Sequence, residues 1–101
     1  MRITIDVDDP DKFWDSARRL HLLTGLTVYY RKSANKGYHL KVHNFKGSYV
    51  EVIGIRVLAG DDIYRIKIDS KATVKPTQVL WTIKHGKEAG NWRKIPNFLL
   101  G

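Results

Sequence analysis

The chain has 101 residues, a 43% hydrophobic fraction, and 18 Lys and Arg against 10 Asp and Glu, for a formal net charge of +8. That length supports one domain with one core, and the absence of cysteine excludes disulfides, thiolate zinc sites and cysteine nucleophiles. No apolar run approaches the roughly 20 residues that span a bilayer, and the first apolar residues alternate with Thr and Asp instead of forming a leader. The expectation is a cytoplasmic, intracellular protein with no membrane role. A sequence pI near 9.9 with 11% aromatic residues points to a polyanionic partner, nucleic acid or nucleotide, against the plainer reading of a solvated Lys-rich surface.

The first nine residues alternate strictly. Ile3, Ile5 and Val7 fall on one face of a strand, and Thr4, Asp6 and Asp8 on the other. Asp is a poor strand residue, so two carboxylates at i and i+2 on one face have two readings. Either they are hard-oxygen ligands for Mg²⁺ or Mn²⁺, or the strand ends there and Asp9 or Asp11 caps the next helix. The spacing of Phe13, Trp14, Ala17, Leu20 and His21 predicts a helix from about Pro10 to Leu23, with Phe13 and Trp14 in the core and Gly25 as its C-cap.

Leu26 to Lys32 reads as a second strand, Ser33 to Gly37 as a hairpin loop, and Tyr38 to His43 as a third strand with His39, Lys41 and His43 outward. The next segment, Tyr49 to Leu58, mixes β-branched residues with Gly54; a helix capped by Ser48 and ending at Gly60 fits the order of elements better than a strand. Ile63 to Asp69 is predicted as a strand with Ile66 and Ile68 inward and Arg65, Lys67 and Asp69 outward. A C-terminal hairpin over about 76–98 is predicted around a turn from His85 to Gly90, with Trp81 and Trp92 pairing across it.

Strand, helix, strand, strand, helix, strand is the order of a split βαβ fold. The fold class is therefore α+β, ferredoxin-like or RRM-like, in one domain over 1–101 with its core in about 1–70. Right-handed crossovers place the first strand in the middle of the sheet. Helices cover one face. The other collects Thr4, Asp6, Asp8, Tyr29, Arg31, His39, Lys41, His43, Arg65, Lys67 and Asp69. Carboxylates beside a His and ringed by Lys and Arg have the make-up of a metal-dependent phosphate site, in which Mg²⁺ or Mn²⁺ neutralises phosphate charge and basic residues such as Lys41 and Arg65 hold the phosphates. An antiparallel fourth strand leaves Asp69 at the far end from Asp6, which makes Asp61 and Asp62, at the near end, alternative ligands.

Three segments, Ile3-Thr-Ile-Asp6-Val-Asp8, Lys32-Ser33-Ala-Asn-Lys-Gly37-Tyr-His39 and Ile66-Lys-Ile-Asp69, resemble in order the motifs of the archaeo-eukaryotic primase superfamily. Those motifs are a hydrophobic-Asp-x-Asp strand, a small-x-His segment and a hydrophobic-Asp strand. The likeness is nearest to the polymerase domains of bacterial end-joining ligases and the primase-polymerases of archaeal plasmids and viruses. It implies an RRM-like catalytic core for DNA replication, with Asp6, Asp8 and Asp69 as catalytic metal ligands and His39, Ser33 and Lys32 facing the incoming nucleotide. Members that synthesise nucleic acid carry a further α/β module for which this chain has no room, so the chain reads as a minimal or degenerate nucleotidyltransferase core. Two other classes fit the pattern. One is a non-catalytic RRM-like binder of DNA or RNA, using Tyr29, Arg31, Tyr38, Lys36 and Lys67. The other is a small ferredoxin-like metal-dependent nuclease. Expected partners are single-stranded DNA or RNA and a nucleoside triphosphate. The second strand's exposed edge leaves room for a homodimer or a larger replication complex.

Overall fold

The computed structural model describes residues 1–71, 78–84 and 86–101. The start of the turn predicted at His85, and positions 76 and 77 of the predicted hairpin, lie outside the described residues.

Local chemistry sets the element boundaries. Strand β1 (Ile3–Val7) gives way to Asp9, whose carboxylate accepts from the Asp11 N–H at 3.0 Å, and Pro10 opens a 3-10 turn that runs into helix α1 (Phe13–Thr24). Gly25, at φ 69°, closes α1 by donating to the His21 carbonyl at 2.7 Å. Strands β2 (Tyr29–Lys32) and β3 (Tyr38–Val42) follow. Helix α2 (Tyr49–Ala59) opens on a capping box between Ser48 and Glu51 and stops at Gly60, whose φ of 85° no β-branched residue tolerates. With both ends closed in this way, the β-branched run between them is helical.

The main sheet is antiparallel and four-stranded, in the order β1-β3-β2-β6, where β6 is Arg93–Lys94. In its register Asp6 stands opposite His39, and His39 opposite Arg31. The core lies between one face of this sheet and the helices: Ile3, Ile5, Val7, Leu40 and Val42 meet Phe13, Ala17, Leu20, Val52 and Ala59. Each buried Ile, Val, Leu or Phe side chain among them contributes about 1.5–3 kcal/mol. The fold is thus a small α+β fold with helices against one face, as the pattern implied.

Several expectations are corrected. The segment predicted as a fourth strand is helix α3 (Ile63–Ser70). Asp62 caps it, accepting from the Tyr64 N–H at 2.8 Å, and Ile66 and Asp69, three apart, share its buried side while Ile68 is 70% exposed. Consequently β1 is an edge strand, with β3 as its strand partner among the described residues. Its outer edge is satisfied by side chains: Gln78 Nε2 donates to the Arg2 carbonyl at 2.8 Å, Gln78 Oε1 accepts from the Thr4 N–H at 2.7 Å, and Asp61 Oδ1 accepts from the Asp6 N–H at 2.8 Å. Binding this edge holds Gln78 at φ 52°, a left-handed conformation uncommon for its type.

The predicted hairpin is also different. Its strands are short, β4 (Ile83–Lys84) with β5 (Lys87–Glu88), while β6 joins β2 and covers the edge expected to be exposed. Trp81 and Trp92 do not pair, because Trp92 is carried to the sheet with β6 while the segment before Trp81 is tied to β1 through Gln78. Finally, Trp14 is exposed instead of core, although its ring meets buried Phe13 edge-on, 5.1 Å between ring centres. No helix among the described residues is long and apolar enough to cross a membrane.

Candidate metal and nucleotide site

The carboxylates of Asp6 and Asp8 project at the end of β1, and the α3 cap brings Asp62 beside them. One ligand oxygen from each of the three lies within 4.8 Å of the others. Oxygens around one octahedral Mg²⁺ or Mn²⁺ are up to about 4.2 Å apart, given bonds of about 2.1 Å, so small rotamer adjustments close this set on a cation. Hard anionic oxygens are also the donor type those ions select. Burial, and next the charge of Asp8, push the Asp6 carboxyl up from 3.8 to about 6, with Arg65 opposing and Asp61 and Asp62 adding to the rise. The site therefore carries negative charge that a cation would relieve.

Asp69, expected as the third ligand, is elsewhere. It is buried and accepts from Arg56 NH1 at 2.7 Å and from the Gln78 N–H at 3.3 Å. Arg56 is fully buried and also donates from Nε to Asp61 Oδ2 at 2.6 Å. Among the described residues its NH2 has no hydrogen-bond partner, a desolvation cost offset by two carboxylates. Asp61 is the hub of this network: its Oδ1 accepts from the backbone N–H groups of Asp6 and Asp62, both at 2.8 Å, and from Arg65 NH1. A single carboxylate thus fixes the start of α3 against β1 and sets Asp62 beside Asp6. Arg65, expected to hold phosphate, also donates to Thr4 Oγ1 at 2.7 Å and to the Val79 carbonyl at 3.0 Å, and so binds the fold's own edge.

His39 is buried next to the cluster. Arg31 Nε donates to its Nδ1 at 2.9 Å, which assigns the ring proton to Nε2, 3.9 Å from Asp6 Oδ1. Burial, then the charges of Arg31 and Arg65, lower its pKa from 6.5 to about 4, so the ring is neutral and the Asp6 contact is not an ion pair at neutral pH. A cavity of about 380 Å³ opens here, lined by Asp6, Asp8, His39, the loop from Ser33 to Gly37, and Trp81. The loop is tightly built. Ser33 Oγ accepts from the Gly37 N–H at 3.0 Å, Lys32 Nζ donates to the Lys36 carbonyl at 2.8 Å, and a Cβ on Gly37 would meet the Val7 carbonyl oxygen at 1.9 Å. Lys36 is exposed on this wall. A second cleft, of about 450 Å³, flanks the carboxylates on the other side between β1, α1 and the start of α3.

The remaining basic residues divide. Arg31 and Lys41 lie over the Trp92 ring, at 4.5 and 4.1 Å from its centre, and Tyr29 meets His43 edge-on at 5.4 Å. Burial, then Arg31 and Arg2, lower the Lys41 pKa. Lys67 is on the solvent side of α3 over Tyr64 and does not share that face. The pattern of the chain missed Trp81, read as a packing residue, and the buried Arg56, which sits among apolar neighbours in the sequence. It named Asp62 only as an alternative, although the acidic pair after Gly60 was its visible signal. Comparison with protein-family models, with curated proteins and with solved structures finds no match.

Proposed function

We propose that this chain binds a nucleotide through a divalent cation, as a small primase-polymerase-like protein with a minimal or degenerate nucleotidyltransferase core. The observation that carries the reading is the convergence of Asp6, Asp8 and Asp62 within 4.8 Å, where Asp6 and Asp8 also line the cavity formed with His39 and the 33–37 loop and Asp62 lines the cleft on their other side. In this reading Asp62, not Asp69, completes the ligand set. Mg²⁺ or Mn²⁺ would supply charge neutralisation at the phosphates. The chain's own part is to hold that charge in place. Asp61 fixes the backbone of two of the ligands, neutral His39 presents Nε2–H toward the cluster, and Lys36 adds positive charge at the wall. A single strand of DNA or RNA is the second partner, along Tyr29, Arg31, Lys41 and Trp92. The pairing of an aromatic ring with two cations there, in a chain of net charge +8, supports that partner. The setting is a cell's interior during replication of a plasmid or viral genome.

Isothermal calorimetry with a nucleoside triphosphate and Mn²⁺ tests this. The wild-type chain binds only with the metal present, and the Asp6→Ala, Asp8→Ala double variant loses binding with an unchanged circular dichroism spectrum. Absence of wild-type binding with Mn²⁺ overturns the reading.

A further inference from the structure

Trp81 is 66% exposed, and among the described residues no ring packs against it. Apolar exposure of that size on a soluble domain is informative when the side chain is held in place, and here the backbone leading to it is held. Gln78 is tied to Arg2 and Thr4 on β1, and the Val79 carbonyl accepts from Arg65 on α3 at 3.0 Å. This tether sets Trp81 at the boundary of two cavities. One is the 380 Å³ cavity that holds Asp6, Asp8 and His39. The other, about 320 Å³, is bordered by Arg65, Ile68, Asp69 and Val79 and is mainly apolar.

We propose that Trp81 stacks the base of the nucleotide whose phosphates the carboxylate site holds. The inference rests on the function proposed above and adds the substrate class: a nucleotide engaged at both ends, not a bare polyphosphate. The two ends need different chemistry, and the cavity has both. Carboxylates suited to a cation stand at one wall, and a flat, solvent-facing indole stands at another. Apolar Ile68 and Val79 extend the indole's side, so a base entering there leaves water on both its face and its edge. Stacking uses the π-face common to all bases, so this contact carries little base preference.

The test compares two ligands on the full chain, with Mn²⁺ present: ATP and inorganic tripolyphosphate. Their affinities are measured by calorimetry for the wild type, Trp81→Ala and Trp81→Phe. Loss of one base stack weakens binding by roughly tenfold or more. Trp81→Ala should lose that factor for ATP and keep wild-type affinity for tripolyphosphate, and Trp81→Phe should restore most of the ATP affinity. If Trp81→Ala binds ATP as well as the wild type, or loses both ligands equally, base stacking is wrong. If tripolyphosphate binds the wild type as tightly as ATP does, the metal site stands and the stacking fails. If neither ligand binds the wild type, the proposed function fails and this inference with it.

Discussion

Asp6 and His39 face each other across β1 and β3 with pKa values shifted in opposite directions, so replacing either one exposes the other. Burial and the Asp8 charge raise Asp6 from 3.8 to about 6. That difference, 6 minus 3.8, is roughly 2 units at about 1.36 kcal/mol each, or about 3 kcal/mol. Both side chains are largely out of water, 21% exposed for Asp6 and 3% for His39, so screening removes little of it. Between the two Asp6 values the folded chain keeps a proton that the unfolded chain has released. This contribution is complete below 3.8 and is lost as pH rises through 6. His39 runs the other way. Lowered from 6.5 to about 4, it refuses a proton that the unfolded chain binds, so its contribution is complete above 6.5 and is lost as pH falls through 4. Its size is again about 3 kcal/mol. The two slopes oppose over nearly the same window, and the pair leaves wild-type stability almost flat there. Asp6→Asn removes the carboxyl but keeps the backbone N–H bonded to Asp61. Its stability should rise by about 3 kcal/mol from about pH 4 to about pH 7, and at the upper end exceed that of the wild type by a similar amount. His39→Asn, which retains an acceptor for Arg31, should show the opposite slope. Saturating Mn²⁺ should remove the Asp6 penalty from the wild type and from His39→Asn, and should find none to remove in Asp6→Asn. Urea denaturation followed by circular dichroism across this range measures all of this. An Asp6→Asn profile parallel to that of the wild type refutes the reasoning.

Asp61→Ala should destabilise the fold by about 3–5 kcal/mol, since it takes one of the two carboxylates from buried Arg56 and removes the acceptor for the Asp6 and Asp62 N–H groups. That is a large part of the roughly 5–15 kcal/mol total expected of such a domain, and a urea-midpoint change equivalent to less than about 1 kcal/mol contradicts the network's role. Gly37→Ala places a Cβ against the Val7 carbonyl, forces β3 away from β1 and should cost about 2 kcal/mol or more. An unchanged thermal midpoint would show that the strands are not in that contact.

Much of the architecture was legible because its signals are local. The alternation of Ile3, Ile5 and Val7, the Ser48–Glu51 box, and glycines at positions 25 and 60 each act within a few residues of the structure they determine. Ile63 to Asp69 was misread because it satisfies two periods at once. Ile66 and Ile68 alternate like a strand, while Asp62, Ile66 and Asp69 fall at helical spacing. The helix wins through partners distant in sequence: Asp69 meets Arg56 thirteen residues away, and Arg65 meets Thr4 sixty-one residues away. The same change moved the third acidic position of the site. With no strand there, Asp69 turns into the protein to pair with Arg56, and the helix cap Asp62 takes the place beside Asp6 and Asp8. Asp6 and Asp8 themselves were legible because alternation fixes their face; Trp81 was not, because its place depends on how Gln78 binds an edge that the predicted sheet did not have.

The most direct measurement of the central claim is an anomalous difference map at the manganese edge, from crystals soaked in Mn²⁺ and a nucleoside triphosphate. The account predicts a peak bounded by carboxylate oxygens of Asp6, Asp8 and Asp62, with the Arg56–Asp69 pair intact and the phosphates on the cation. A map with no peak at these three residues, or with Asp69 drawn out of its pair to bind the metal, would contradict it.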